Sequence, residues 1–343
     1  MYSGNKRMRP FISAEVAWSL SLTLLIAFSL FACAPTFAPS DSDLGLTRLD
    51  DQAVVVSDGA RLPLRRWLPE ERPRAIIVAV HGYTDYRNAF ALPAPFLAAH
   101  GIAVFAYDQR GFGASPGRGQ WPGRDALVRD LAEIIHFLRG AWGDLPLFVL
   151  GDSMGAAVSI TALSDPEIAK SVQGLILNAP AVWGAETFNP FYRASLWLLA
   201  HTIPWYETGG KGVRRTISDN RDLLRQMADD PLLLRNVRIE SLYGLVHLMD
   251  RALNDAHAVQ VPVLLLYGRK DEVIPINSIC RLRRSLNANA NVAFYDNGYH
   301  LLLRDLQAIH VWRDIVLWVN GVSLGTPIKS ADPCYVESVK NES

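Results

Sequence analysis

Apolar runs recur along this chain at intervals that suit a sheet interleaved with helices. Residues 75–80 (Ala-Ile-Ile-Val-Ala-Val), 102–107, 147–150, 263–267 and 292–295 carry no charged side chain. Such short runs, without alternation, predict strands buried on both faces of a parallel sheet. A further strand is expected over 172–178. Ahead of them, 53–56 and 61–68 flank Ser57-Asp58-Gly59, which predicts a hairpin. Residues 124–139 place Leu127, Leu131, Ile134, Ile135 and Leu138 on one side, the spacing of an amphipathic helix. Other helices fit near 87–99, 277–286 and 306–319. Strands alternating with helices predict an α/β, doubly wound, mostly parallel sheet, with ligands at the carboxyl ends of its strands.

Between 181 and about 245 the rhythm breaks. No buried strand is expected there, and helical patterns occupy 194–200 and 222–229. Aromatic residues crowd its start: Trp183, Phe188, Phe191, Tyr192, Trp197, Trp205 and Tyr206. This segment is read as an inserted helical cap. Trp183, Phe188, Phe191, Tyr192 and Trp197 are candidates for the lining of a substrate pocket.

Composition adds limits. The chain has 343 residues, half of them hydrophobic, and 34 basic against 34 acidic side chains. Zero net charge argues against a nucleic-acid partner. Cys33, Cys280 and Cys334 are too few for a disulfide scaffold and form no CxxC pair. Cys280 and Cys334 are able to pair outside the cytoplasm, but a buried free thiol is the simpler expectation for Cys280. No metal site and no cofactor are implied.

The first residues read as a targeting segment. Lys6, Arg7 and Arg9 precede an uncharged stretch over 16–32 that ends at Leu30-Phe31-Ala32-Cys33. This resembles a bacterial lipoprotein signal of the outer-membrane class, with Cys33 lipidated. An uncleaved anchor or a secretory signal is the alternative. The domain plan is therefore a leader at 1–33, a tether at 34–50, a doubly wound α/β domain at 51–320 with the helical cap inserted at about 181–245, and a polar tail at 321–343. Each reading puts the folded domain outside the cytoplasm.

The chemistry centres on Leu147 onward, LFVLGDSMGAA. Strand, G-x-S-x-G and helix in that order make a nucleophile elbow. Side chains at Gly151 and Gly155 would collide with neighbouring elements, so the tight turn needs both glycines. Ser153 is the candidate nucleophile, and Met154 offers its amide at the start of the following helix. Serine needs a base and a carboxylate to hold that base. Asp271 follows the strand at 263–267, and His300 follows the strand at 292–295. Glu272 or Asp296 is able to replace Asp271. The second oxyanion donor is expected after residue 80, in His81-Gly82-Tyr83-Thr84-Asp85, with the Tyr83 amide nominated and His81 bracing the loop.

VHGYTDY, YDQRGFGAS, GDSMGAA, GRKDEVIP and NGYH occur in that order. Together they resemble the α/β-hydrolase group of serine aminopeptidase S33-like enzymes, monoacylglycerol lipases and lysophospholipases. The resemblance spans about 50–319. It implies an α/β-hydrolase fold, with Ser153 as nucleophile, Asp271 as orienting acid, His300 as base, and Tyr83 and Met154 as oxyanion donors. Asp152 stands where a histidine is common, and the cap has no recognisable motif. The implied activity is hydrolysis of a small amphiphilic acyl ester, of monoacylglycerol or lysophospholipid type. An aminopeptidase, with Glu186, Glu207 or Asp219 holding a free amine, stays open. So do a thioesterase or acyltransferase, and a tethered non-catalytic binder.

Overall fold

The computed structural model describes residues 45–183, 189–209, 215–286, 290–322 and 333–334. Nine strands form the main sheet: β1 (Arg48–Asp50), β2 (Ala53–Val55), β3 (Arg61–Trp67), β4 (Ala75–Val80), β5 (Ile102–Tyr107), β6 (Leu147–Asp152), β7 (Gly174–Asn178), β10 (Val263–Gly268) and β11 (Ala290–Tyr295). Their spatial order is β1-β2-β3-β5-β4-β6-β7-β10-β11. The first three are antiparallel, and β3 joins β5 antiparallel. From β5 to β11 every pairing is parallel. β1 lies inside the stretch expected to be tether, because Arg48–Asp50 finds antiparallel partners in β2.

Why the apolar runs have no alternation is plain from the packing. In β4, Ile76, Val78 and Val80 face one core and Ala75, Ile77 and Ala79 face the other. Both faces are dry, so both sets must be apolar; burying each large aliphatic side chain contributes roughly 1.5–3 kcal/mol. One face is covered by α2 (Arg124–Trp142), α3 (Met154–Leu163), the short α4 (Pro166–Ala169), α7 (Ile239–Asp255) and α8 (Ile276–Ser285). The other is covered by α1 (Pro93–Ala99) and α9 (Ala308–Val319). Leu127, Leu131, Ile134, Ile135 and Leu138 are the buried stripe of α2, as their spacing predicts.

The cap lies between β7 and β10 in sequence. Its described part contains α5 (Pro190–Thr202), α6 (Arg221–Asp229) and a small antiparallel two-stranded sheet of β8 (Glu207–Gly209) and β9 (Asn236–Arg238). The expected boundary at 245 falls inside α7, whose buried stripe runs on to Ala252 against the core. Cys280 is not a free thiol: it is disulfide-bonded to Cys334, 54 residues on, and ties the tail to α8. Among the described residues no helix is long and apolar enough to cross a membrane. The leader, Cys33 and most of the tail lie outside the described residues.

Candidate active site

β6 ends at Asp152, and Ser153 turns the chain into α3 with φ 53° and ψ −111°. That is a strained conformation for a residue with a side chain. Close packing holds it: a Cβ on Gly155 would lie 2.0 Å from the Val80 carbonyl oxygen, and one on Gly151 2.4 Å from Ala156 Cα. The Ser153 amide donates to Asn178 O (2.9 Å), and Ser153 O accepts from the Ala156 and Ala181 amides. The backbone is fixed on both sides, and the hydroxyl is left at the tip.

β7 and β10 neighbour β6 in turn, so the loops after β10 and β11 reach the same edge. Ser153 Oγ lies 3.0 Å from His300 Nε2, and His300 Nδ1 lies 2.8 Å from Asp271 Oδ2. The other Asp271 oxygen accepts from the Val273 and Ile274 amides at 2.7 and 3.0 Å. The Asp271 side chain is wholly buried. Of its two possible substitutes, Asp296 pairs with Arg269 and is 83% exposed. Glu272 accepts from the Thr216 amide at 2.7 Å.

The loop after β4 lies across the elbow. His81 is fully buried; Nε2 accepts from the Gln109 amide (2.9 Å), so Nδ1 carries the proton and donates to Gly82 O (2.8 Å). Burial lowers its pKa and keeps it neutral. It is therefore a brace that fixes the turn. Tyr83 and Met154 both line the cavity with Ser153 and His300. Met154 opens α3, where the first amides have no intrahelical acceptor. The Tyr83 hydroxyl donates to Ser241 Oγ at 2.9 Å, which pins this loop to α7.

The cavity has a volume of about 910 Å³. Leu196, Leu224, Leu233, Leu245, Val246 and Met249 make its walls largely apolar. Trp183 lines it too. Phe191, Tyr192 and Trp197 do not: they are 73%, 66% and 46% exposed on the outside of α5. α5 presents its aliphatic Leu196 inward, so the aromatic residues of α5 do not mark the lining, whereas Trp183 does. Phe188 and Glu186 lie outside the described residues. Glu207 and Asp219 are absent from the cavity lining, and Asp219 accepts instead from the Leu306 amide. Among the described residues no three His, Cys, Asp or Glu side chains gather to hold a metal ion.

The family model for serine aminopeptidase S33 matches residues 71–307. The chain belongs to that family. Its similarity to characterised relatives is spread over most of its length. The monoglyceride lipase of Mus musculus is 27% identical over 277 residues, covering 78% of this chain and 89% of that one. The monoacylglycerol lipase of Mycolicibacterium smegmatis is 25% identical, covering 76% and 93%. Among solved structures, the monoacylglycerol lipase of Paleococcus ferrophilus superposes with a TM-score of 0.66 at 23% identity, covering 76% of this chain and 99% of the other. A soluble variant of the Saccharomyces cerevisiae monoglyceride lipase gives 0.68 at 18%, covering 84% and 98%. The fold is that of the α/β-hydrolases, and the chain is a serine-hydrolase-family enzyme similar to monoglyceride lipases.

Around the S33-family site lies a buried polar cluster that motif reading missed. Asp152 is held by Asn178 Nδ2 (2.7 Å), and burial raises its carboxyl pKa despite nearby Arg304. Arg304 pairs with Asp85 of the loop after β4 at 2.7 Å. Next to it, Asp305 accepts from the Tyr299 amide and from Ser218 Oγ. The signal was present in the sequence: Arg304-Asp305 is a charged pair directly after the apolar run Leu301-Leu302-Leu303.

Proposed function

We propose that this chain is a serine esterase that cleaves carboxylic esters of amphiphilic acyl substrates, of monoacylglycerol or lysophospholipid type, through an acyl-enzyme. The observation that carries the reading is the line from Ser153 Oγ through His300 to Asp271, at 3.0 and 2.8 Å, opening on an apolar cavity. His300 Nε2 takes the Ser153 proton as Oγ attacks the ester carbonyl. Asp271 accepts the Nδ1 hydrogen bond and stabilises the imidazolium that forms. The amides of Tyr83 and Met154 stabilise the oxyanion; such a donor is typically worth ~100–1000-fold in rate. His300 then gives its proton to the departing alcohol. Water, deprotonated by the same nitrogen, releases the acid and restores the Ser153 hydroxyl.

The cavity favours an ester with an alkyl chain. Its walls are largely apolar side chains, and a buried alkyl chain gains about 0.8 kcal/mol per methylene. Of the acids considered for an amine anchor, Glu207 and Asp219 do not line it, and the two acids that do, Asp85 and Asp152, are engaged by Arg304 and Asn178, which supports ester over aminoacyl substrates. A fluorophosphonate probe tests the mechanism. Labelling should map to Ser153 and vanish in His300→Ala; labelling elsewhere, or none, would remove the reading.

We further propose that the enzyme works outside the cytoplasm, tethered to the membrane through Cys33. The Cys280–Cys334 disulfide supports an oxidising compartment. Cys33→Ala should release the protein from the membrane fraction; retention of a processed chain there would contradict a lipid tether.

A further inference from the structure

The segment that carries His300 is held by the cap. Tyr299 N–H donates to Asp305 Oδ2 at 2.7 Å, and Ser218 Oγ donates to Asp305 Oδ1 at 2.6 Å. One carboxylate thus joins the residue before His300 to a cap strap over 215–220. Further bonds follow the same seam: Leu301 N–H to Ile217 O at 2.9 Å, Asn220 Nδ2 to Arg304 O at 3.0 Å, and Leu306 N–H to Asp219 Oδ1 at 2.9 Å. The strap also reaches the loop of Asp271, through Thr216 N–H to Glu272 and Arg215 to Val273 O. Arg215 and Ile217 of the strap line the cavity. So the strap touches the substrate space on one side and both histidine-bearing and aspartate-bearing loops on the other.

Asp305 and Ser218 are 5% and 3% exposed. A buried carboxylate costs free energy unless it is fully hydrogen-bonded, and both oxygens here are. The Ser218 bond satisfies the second carboxylate oxygen and, in doing so, ties the Tyr299 brace to a cap element 87 residues earlier in the chain.

We propose that Asp305 is a positioning residue that couples the cap strap, through Ser218, to the placement of His300 against Ser153. The proposal rests on the reading of His300 as the base. Catalysis is sensitive to such placement, since an error of about 1 Å costs on the order of 100-fold. The coupling acts on the chemical step and leaves acyl-chain binding to the apolar walls.

The test is a double-mutant cycle in the full-length chain, with Ser218→Ala, Asp305→Ala and both, on a p-nitrophenyl ester, with Ser153→Ala as blank. Asp305→Ala should lower kcat about tenfold or more, and Ser218→Ala roughly three- to tenfold, with KM within about twofold. The double variant should be no slower than Asp305→Ala, because both remove one link. Asp305→Asn keeps an acceptor for Tyr299 and a donor for Ser218 Oγ, and should recover most of kcat. If Asp305→Ala does not fold, Ser218→Ala with Asp305→Asn decides alone. Unchanged kcat in Ser218→Ala, a loss confined to KM, or losses that multiply in the double variant would overturn the coupling. Hydrolysis that persists in Ser153→Ala would overturn the esterase mechanism as well, so the two failures are distinct.

Discussion

The sheet edge and the cap make one cavity by different means. At the edge, position follows from the chain itself: a strand ends, a turn is forced by Gly151 and Gly155, and Ser153 is left at its tip. In the cap, position follows from partners far away in sequence. Tyr83 reaches Ser241, Leu234 N–H reaches Thr84 O, Tyr86 reaches Asp230, and Ser218 reaches Asp305. The edge is a dry, close-packed frame; the outside of α5 exposes Phe191, Tyr192, Leu198 and Leu199. The edge sets the chemistry, and the cap sets the shape of the space and the seating of the loops below it.

That contrast can be broken at several strengths. Ser153→Ala should lower kcat by about 10⁴–10⁶-fold with the fold intact, read by steady-state kinetics and circular dichroism. Asp271→Asn should cost roughly 10³–10⁴-fold, because His300 loses the partner that sets its tautomer. A loss as small as tenfold would mean that Glu272 or Asp296 takes over. Gly155→Ala attacks the frame: a methyl 2.0 Å from Val80 O cannot be accommodated, so more than ~4 kcal/mol of stability should go, seen as loss of soluble folded protein.

The cap should respond in kinetics rather than folding. Trp183→Ala, in the cavity wall, should lower kcat/KM on esters of eight carbons or more about tenfold, and less on acetate. Tyr192→Ala, on the outer face, should change stability by under ~0.5 kcal/mol and chain-length preference hardly at all. If Tyr192→Ala alters chain-length preference as much as Trp183→Ala, the outer face of α5 belongs to the substrate site after all. Cys334→Ala should remove ~2–4 kcal/mol from unfolding and leave ester turnover alone, which thermal melts with and without reductant will read.

The same division explains what the sequence discloses. The parallel strands are legible because burial on both faces demands uninterrupted apolar runs, as in 75–80 and 263–267. Ser153, Asp271 and His300 are legible because each lies in the turn or loop that follows such a run. The cap lining is not, since aromatic content says nothing of which face of α5 turns inward; Leu196 does, and Trp197 beside it does not. Nor is the Cys280–Cys334 bond, because pairing depends on where α8 and the tail meet. The Arg304–Asp85 and Asp305–Ser218 links are missed for a related reason: their partners lie 219 and 87 residues away.

The measurement closest to the central claim is turnover of p-nitrophenyl esters of rising chain length beside an aminoacyl-p-nitroanilide, by the chain lacking its first 33 residues and by Ser153→Ala. The account predicts ester cleavage with an optimum at about eight carbons or more, consistent with an apolar cavity, abolished by the substitution, and no cleavage of the anilide. Cleavage of the anilide alone, or ester cleavage that survives Ser153→Ala, would contradict it.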